Sequence, residues 1–103
     1  MNKRMLVNLQ DCRISEFDKD TFRIGRDGGE VDFYIDSPWV SRVHCDIITR
    51  EDRYYIIDRN SANGTSVNGT PVQPGLENPL NSDDIIRIGD TQYLFLALRM
   101  EGE

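Results

Sequence analysis

The sequence has no long hydrophobic run and no secretory signal. None of its apolar stretches approaches the ~20 residues that a membrane-spanning helix requires. The N-terminal segment, Met1 to Leu9, lacks both the apolar core and the small-residue cleavage site of a signal peptide. The two cysteines, Cys12 and Cys45, can form at most one disulfide, and without a secretory signal we expect both to be reduced. These absences predict a cytoplasmic protein that does not bind a membrane.

Positive charge is also scarce. The chain has 12 Lys and Arg against 18 Asp and Glu, which gives a net charge of −6, and the basic residues are scattered. Nucleic acids and anionic membranes are bound through clustered basic residues, so we expect neither as a partner. No Cys/His cluster at metal-ligand spacing accompanies the single histidine, His44. We expect no metal and no cofactor. The 103 residues fit one domain, residues 1–103, which we expect to be monomeric in isolation.

Catalytic signatures are missing as well. Ser41, His44 and Asp58 are the residue types of a hydrolytic triad. However, no strand-to-helix nucleophile elbow of the G-x-S-x-G type accompanies them. We therefore expect that the chain is not an enzyme and that His44 is a structural, hydrogen-bonded residue.

Short segments with alternating apolar and polar residues fill the chain instead, and no helical period lasts long enough for a helix. Turn-forming residues separate these segments at spacings of about ten residues, a pattern typical of an all-β antiparallel sandwich or barrel. The interval Ser61–Val72, which contains two Asn-Gly pairs, is expected to be mostly structured loop. The candidate strands are Met5–Asn8, Cys12–Phe17, Thr21–Ile24, Phe33–Ile35, His44–Thr49, Tyr54–Asp58, Ser66–Val67, Ile85–Ile88 and Gln92–Arg99.

Polar clusters in the predicted loops carry the chemistry of an anion site. They are Gly25-Arg26, Ser41-Arg42 with His44, Ser61 to Thr65, and Asn68-Gly69. An arginine presents a planar fork of donors that matches phosphate oxygens. A serine hydroxyl adds a donor, and an asparagine amide can pair with a peptide backbone. Together at one end of a sandwich, such side chains would bind a phosphate group.

The order of these motifs resembles the forkhead-associated (FHA) domain family. The resemblance covers Phe22 to about Leu96 and rests on five elements. They are Phe22-Arg23-Ile24-Gly25-Arg26, Val40-Ser41-Arg42-Val43-His44, Asp58 to Ser61-Ala62-Asn63-Gly64-Thr65, Val67-Asn68-Gly69, and Asp84 to Ile88-Gly89. The resemblance implies an antiparallel β-sandwich of about eleven short strands, with loops at one apex that bind threonine-phosphorylated peptides or proteins. The implied function is phosphorylation-dependent protein–protein interaction in signalling.

The resemblance also implies residue roles. Arg26, Ser41 and Arg42 would hold the phosphate, and Asn63 would hydrogen-bond the peptide main chain. Trp39 would contact the third residue after the phosphothreonine, or else cover the rim of the sandwich. The chain departs from many relatives at Ala62, where they have a threonine that helps to bind the phosphate. Residues expected to support the site are Gly25, His44, Gly64, Thr65, Asn68 and Gly69.

Two other interpretations remain open at this stage. The same fold could serve as a phospho-independent scaffold or oligomerisation domain. It would use the Tyr93 and Phe95 face of the last strand, which is apolar on both faces, or another sheet surface. Alternatively, an extracellular adhesive sandwich could carry glycans, since Asn63-Gly64-Thr65 and Asn68-Gly69-Thr70 both match the acceptor pattern.

Overall fold

A computed structural model describes residues 2–100 and has eleven strands and no helix over that range. The all-β fold is therefore confirmed. Short strands rich in β-branched and aromatic residues pair across the chain, while turn residues with positive φ, among them Gly64, Gly69 and Gly89, reverse its direction. The strands are β1 (Asn2–Asn8), β2 (Ile14–Phe17), β3 (Thr21–Gly25), β4 (Phe33–Tyr34), β5 (Cys45–Arg50), β6 (Arg53–Asp58), β7 (Thr65–Val67), β8 (Thr70–Pro71), β9 (Asn78–Leu80), β10 (Ile85–Ile88) and β11 (Thr91–Arg99).

The strands form two sheets that pack as a sandwich. The six-stranded sheet has the order β2-β1-β11-β10-β7-β8, and the five-stranded sheet has the order β4-β3-β5-β6-β9. All pairs are antiparallel except β3 and β4, which run parallel with Ile24 opposite Phe33. Strands β1 and β11 pair over seven residues, so the two terminal strands lie side by side at the centre of their sheet.

The core is filled by alternate residues of both sheets. Leu6 and Phe95 are opposite one another on β1 and β11, and both are fully buried. The rings of Phe17 and Phe22 stack with their centroids 4.0 Å apart, which joins the two sheets at one end. Such packing fixes which face of each strand points inward, because neighbouring residues on a strand point to opposite faces.

The last strand corrects one expectation. Tyr93 and Phe95 are 4% and 0% exposed, so their face of β11 belongs to the core and cannot be a partner surface. The opposite face, with Leu94, Leu96 and Leu98, points outward. Two apolar faces on one strand look alike in sequence, and only the packing of the second sheet selects the buried one.

The interval Ser61–Val72 is more ordered than expected. The predicted strand Ser66–Val67 is part of Thr65–Val67, which forms a hairpin with the unexpected strand Thr70–Pro71, and Asn68 and Gly69 are its two turn residues with φ of 52° and 84°. Two consecutive positive φ values match the tight turn that Asn-Gly favours. The sequence also missed β9, which contains Pro79 and lies at a sheet edge, where proline is tolerated.

No helix among residues 2–100 is long and apolar enough to cross a membrane.

Candidate functional site

Loops from both sheets meet at one end of the sandwich. The β3–β4 loop runs beside the β4–β5 loop, and the backbone N–H groups of Arg26 and Asp27 donate to the carbonyls of Ser41 and Arg42 at 2.9 and 3.1 Å. Gly25 permits this approach, because a Cβ at its position would collide with the Arg42 carbonyl. The glycine of the Gly-Arg pair thus brings Arg26 next to Ser41.

The Arg26 side chain is fixed at one nitrogen and open at the others. Its Nε donates to the Val40 carbonyl at 2.9 Å. Within residues 2–100 the two terminal guanidinium nitrogens have no hydrogen-bond partner, and the residue is exposed. A guanidinium oriented in this way presents free, charged donors to an anion.

Ser41 lies between two loops. Its backbone N–H donates to Nδ1 of His44 at 3.0 Å, and its hydroxyl oxygen accepts a hydrogen bond from the Ala62 N–H, also at 3.0 Å. Because that oxygen acts only as an acceptor here, its own O–H remains a free donor.

His44 is a structural residue of the site. It is fully buried. Since its Nδ1 accepts from Ser41, the proton is on Nε2, which donates to the Gly64 carbonyl at 2.9 Å. The ring therefore links the β4–β5 loop to the β6–β7 loop.

Asp58 organises the β6–β7 loop and was not among the site residues expected from the sequence. It is 1% exposed, and its carboxylate accepts from the Ser61 N–H, the Ser61 hydroxyl and the Thr65 hydroxyl at 3.0, 2.6 and 2.7 Å. Burial alone would raise the pKa of Asp58, but the hydrogen bonds from Ser61 and Thr65 outweigh it and lower the pKa below its ordinary value. The sequence feature that could have identified Asp58 is its position at the end of an apolar strand and three residues before a serine.

Asn63 and Trp39 are joined across two loops. The Asn63 amide Nδ2 donates to the Trp39 carbonyl at 2.9 Å, which leaves its Oδ1 as an acceptor. Trp39 is 57% exposed, so most of its indole is not packed on the rim. The two side chains extend the polar surface of Arg26 and Ser41 with an amide and an exposed aromatic ring.

Arg42 is close to the site but is already paired. Its Nη2 lies 3.2 Å from Oδ2 of Asp27, and its side chain is 75% exposed. An exposed ion pair of this kind contributes little to stability. Little stability would therefore be lost if the Arg42 guanidinium left the Asp27 carboxylate to pair with a more highly charged anion.

Asn68 and Gly69 lie outside this cluster, at the far end of β7. The Asn68 side chain donates to Asp84 and accepts from the Ile85 N–H, both at 2.9 Å, so it ties the β7–β8 turn to the start of β10. The structure thus brings together Arg26, Ser41, Arg42, Asn63 and Trp39, with support from Gly25, His44, Gly64 and Thr65. No group of three or more potential metal-ligating side chains occurs in the part of the chain that the structure describes.

Comparison with known proteins decides the family. The model of the FHA domain matches residues 22–89. The chain belongs to the FHA domain family. The five motifs lie within or next to the matched segment, so the resemblance read from them is confirmed.

Solved FHA domains share the fold. A domain studied for phosphothreonine-dependent FHA interactions superposes with a TM-score of 0.84 at 29% identity, covering 95% of this chain and 99% of that one. EmbR of Mycobacterium tuberculosis, solved with a low-affinity phosphopeptide, superposes with a TM-score of 0.86 at 30% identity, covering 97% of this chain and 26% of EmbR.

Curated relatives are longer proteins. The oxoglutarate dehydrogenase inhibitor of Corynebacterium jeikeium is 34% identical over 79 residues, which are 77% of this chain and 52% of the relative. The chain spans only 21% of the length of protein FraH from a Nostoc species, to which it is 42% identical over 60 residues. The FHA domain is thus the part that these proteins have in common with this chain.

Proposed function

We propose that this chain is a phosphothreonine-binding module that mediates phosphorylation-dependent protein–protein interaction. The observation that carries the proposal is the oriented, unpaired guanidinium of Arg26 beside the free hydroxyl of Ser41. Family membership supports the same conclusion. The alternative of a phospho-independent scaffold cannot use the Tyr93 and Phe95 face, because both side chains are buried in the core.

Binding would involve no covalent reaction. The phosphate would accept charge-assisted hydrogen bonds from the Arg26 fork and one hydrogen bond from the Ser41 hydroxyl. Arg42 would leave Asp27 for the phosphate, since a phosphothreonine carries more charge than a carboxylate at neutral pH. The free Oδ1 of Asn63 would accept from the backbone of the peptide.

Such a site acts as a reader rather than as an enzyme. Both ring nitrogens of the nearby His44 are hydrogen-bonded, to the Ser41 N–H and the Gly64 carbonyl, so this histidine is not free to act as a general base. We place the interaction in the cytoplasm, where Cys12 and Cys45 would remain thiols. The amide nitrogens of Asn63 and Asn68 are both hydrogen-bonded, which argues against glycosylation there.

The test is calorimetry with a degenerate phosphothreonine peptide library. We expect dissociation constants in the micromolar range, about −8 kcal/mol. Peptides with threonine or glutamate at the same position should not bind, because neither offers the charge and the oxygens of a phosphate.

A charge-matched pair of variants assigns the binding to this site. Arg26→Ala should weaken phosphopeptide binding at least tenfold. Arg53→Ala removes the same charge at the start of β6, at the opposite end of the sandwich, and should leave affinity unchanged. Equal binding of phosphorylated and unphosphorylated peptides, or equal effects of the two variants, would overturn the proposal.

A further inference from the structure

The six-stranded sheet has an apolar outer face that no other part of the described chain covers. Strand register defines it: Val7 is opposite both Ile14 and Leu94, and Leu94 is opposite Ile85. These four residues form one row across β2, β1, β11 and β10. We define the outer aliphatic face as these four residues together with two further leucines of β11. Its members are Val7, Ile14, Ile85, Leu94, Leu96 and Leu98.

The outer aliphatic face is distinct from the core. Leu6, Ile86 and Phe95, which alternate with these residues on the same strands, are fully buried against the other sheet. On the outer face Ile14 is 59% exposed, Leu98 44% and Ile85 39%, while the other three residues are partly buried. Met5 shares this face by strand register but is only 7% exposed. A single exposed aliphatic residue is ordinary, whereas this group is contiguous across four adjacent strands.

The outer aliphatic face is also nearly neutral, although the chain as a whole is acidic. Lys3, Glu16 and Arg87 share the face by strand register, so it holds two of the 12 basic residues and one of the 18 acidic residues. Lys3 and Glu16 pair with each other at 3.1 Å. The surface thus has no strong charge of either sign with which to attract a charged partner.

We propose that the outer aliphatic face is an interface between two copies of this chain. A neutral aliphatic surface is complementary to itself, and a two-fold arrangement needs only one such surface. With the axis parallel to the strands, Ile14 of one copy lies over Ile85 of the other, and Val7 lies over Leu94. The arrangement also keeps most of the −6 charge of each copy away from the contact.

The size of the outer aliphatic face predicts a weak dimer. The three spacings of about 4.8 Å between four strands, and the four residue steps of about 3.4 Å from Leu94 to Leu98, give a square of about 14 Å. This square is smaller than the roughly 800 Å² per partner of a stable interface, so polar residues must complete the contact. We expect a dissociation constant on the order of 100 μM, so the protein would be monomeric when dilute. This inference differs from the expectation of a monomer and is independent of phosphopeptide binding.

Sedimentation equilibrium of the full chain from 10 to 500 μM tests the proposal. The wild type should show a reversible monomer–dimer equilibrium that strengthens with added salt, because salt screens the repulsion between two anionic chains. Ile14→Lys and Ile85→Lys should each weaken association at least tenfold. Both changes reduce the net negative charge, so a general charge effect would act in the opposite direction.

Leu76→Lys is the matched control. Leu76 is 54% exposed but lies in the loop before β9, away from the outer aliphatic face, and its substitution should leave association unchanged. All three variants should retain wild-type phosphopeptide affinity, which keeps this test separate from that of the proposed function. A wild type that stays monomeric at 500 μM would overturn the proposal and assign the face to another molecule. Equal association of Ile14→Lys and Leu76→Lys would overturn it as well.

Discussion

His44 holds two binding loops together through its two ring nitrogens. His44→Ala would remove a fully buried ring together with its hydrogen bonds to the Ser41 N–H and the Gly64 carbonyl. Because each hydrogen bond contributes about 0.5–1.5 kcal/mol and the missing ring leaves a cavity, we expect the free energy of unfolding to fall by about 2–4 kcal/mol in urea titrations. Unchanged stability with abolished phosphopeptide binding would mean that the ring contacts the ligand directly.

Ala62 occupies the position at which the family resemblance leads us to expect a phosphate-binding threonine. Its N–H bonds the Ser41 hydroxyl oxygen, so a side chain at position 62 starts beside the phosphate donors. Ala62→Thr should tighten phosphopeptide binding by about 1 kcal/mol, roughly fivefold, if its hydroxyl adds one hydrogen bond. Ala62→Val is the control, since valine has nearly the same shape without the hydroxyl. Equal affinities of the two variants in calorimetry would show that the hydroxyl does not reach the phosphate.

The β6–β7 loop depends on the ionised form of Asp58. Its pKa is lowered in the folded protein, so the carboxylate stabilises the fold above the ordinary value of 3.8. That contribution is lost as the pH falls through the lower, folded-state pKa. We expect the free energy of unfolding to decrease between pH 5 and pH 3, and to decrease less in Asp58→Asn.

Other carboxylates with lowered pKa values, such as Asp32 and Asp90, titrate in both proteins. The difference between the two pH profiles, measured by urea unfolding, therefore isolates Asp58. Parallel profiles would refute the role of its charge in this loop.

Strand prediction succeeded where β-branched and aromatic residues dominate and failed at two short strands that contain a proline. Residues Ile85–Ile88, three of which are isoleucine, were placed correctly. Strands β8 and β9 have two and three residues, and each contains a proline. Their pairing depends on the strand beside them rather than on their own composition, so the sequence could not indicate them.

At the scale of the whole molecule, both sheets fix the position of Trp39. Its carbonyl accepts from Asn63 of the β6–β7 loop and lies against Gly89 of the β10–β11 turn, where a Cβ would be only 2.7 Å away. Next to it, Ser37 donates to Asp90 at 2.8 Å. An exposed indole on a rigid backbone is suited to be an anchor for a bound peptide.

We expect Trp39 to select an aliphatic or aromatic residue at the third position after the phosphothreonine, with a cationic residue as second choice. In a phosphopeptide library, Trp39→Ala should flatten the preference at that position while phosphate dependence and melting temperature persist. Leu76→Ala, equally exposed but outside the site, should change nothing. A wild type without preference at that position would contradict the anchor role, and so would unfolding of Trp39→Ala.

The sequence by itself determined the class of fold and the family, and it singled out candidate site residues that the structure brings together. Alternating strands exclude helices, and the five motifs occur in a fixed order that a linear reading preserves. Arg26, Ser41 and Asn63 were identifiable because their chemistry and spacing are local properties.

Only the tertiary structure decided which groups are free and which are engaged. In the structure Arg42 pairs with Asp27, and Asp58 lies under the β6–β7 loop. Asn68 and Gly69 lie away from the site. On β11 the buried residues are Tyr93 and Phe95 rather than Leu94 and Leu96. Each of these outcomes depends on contacts between residues far apart in the chain. Composition and period cannot specify such contacts, because the same side chain is buried or exposed according to what packs against it.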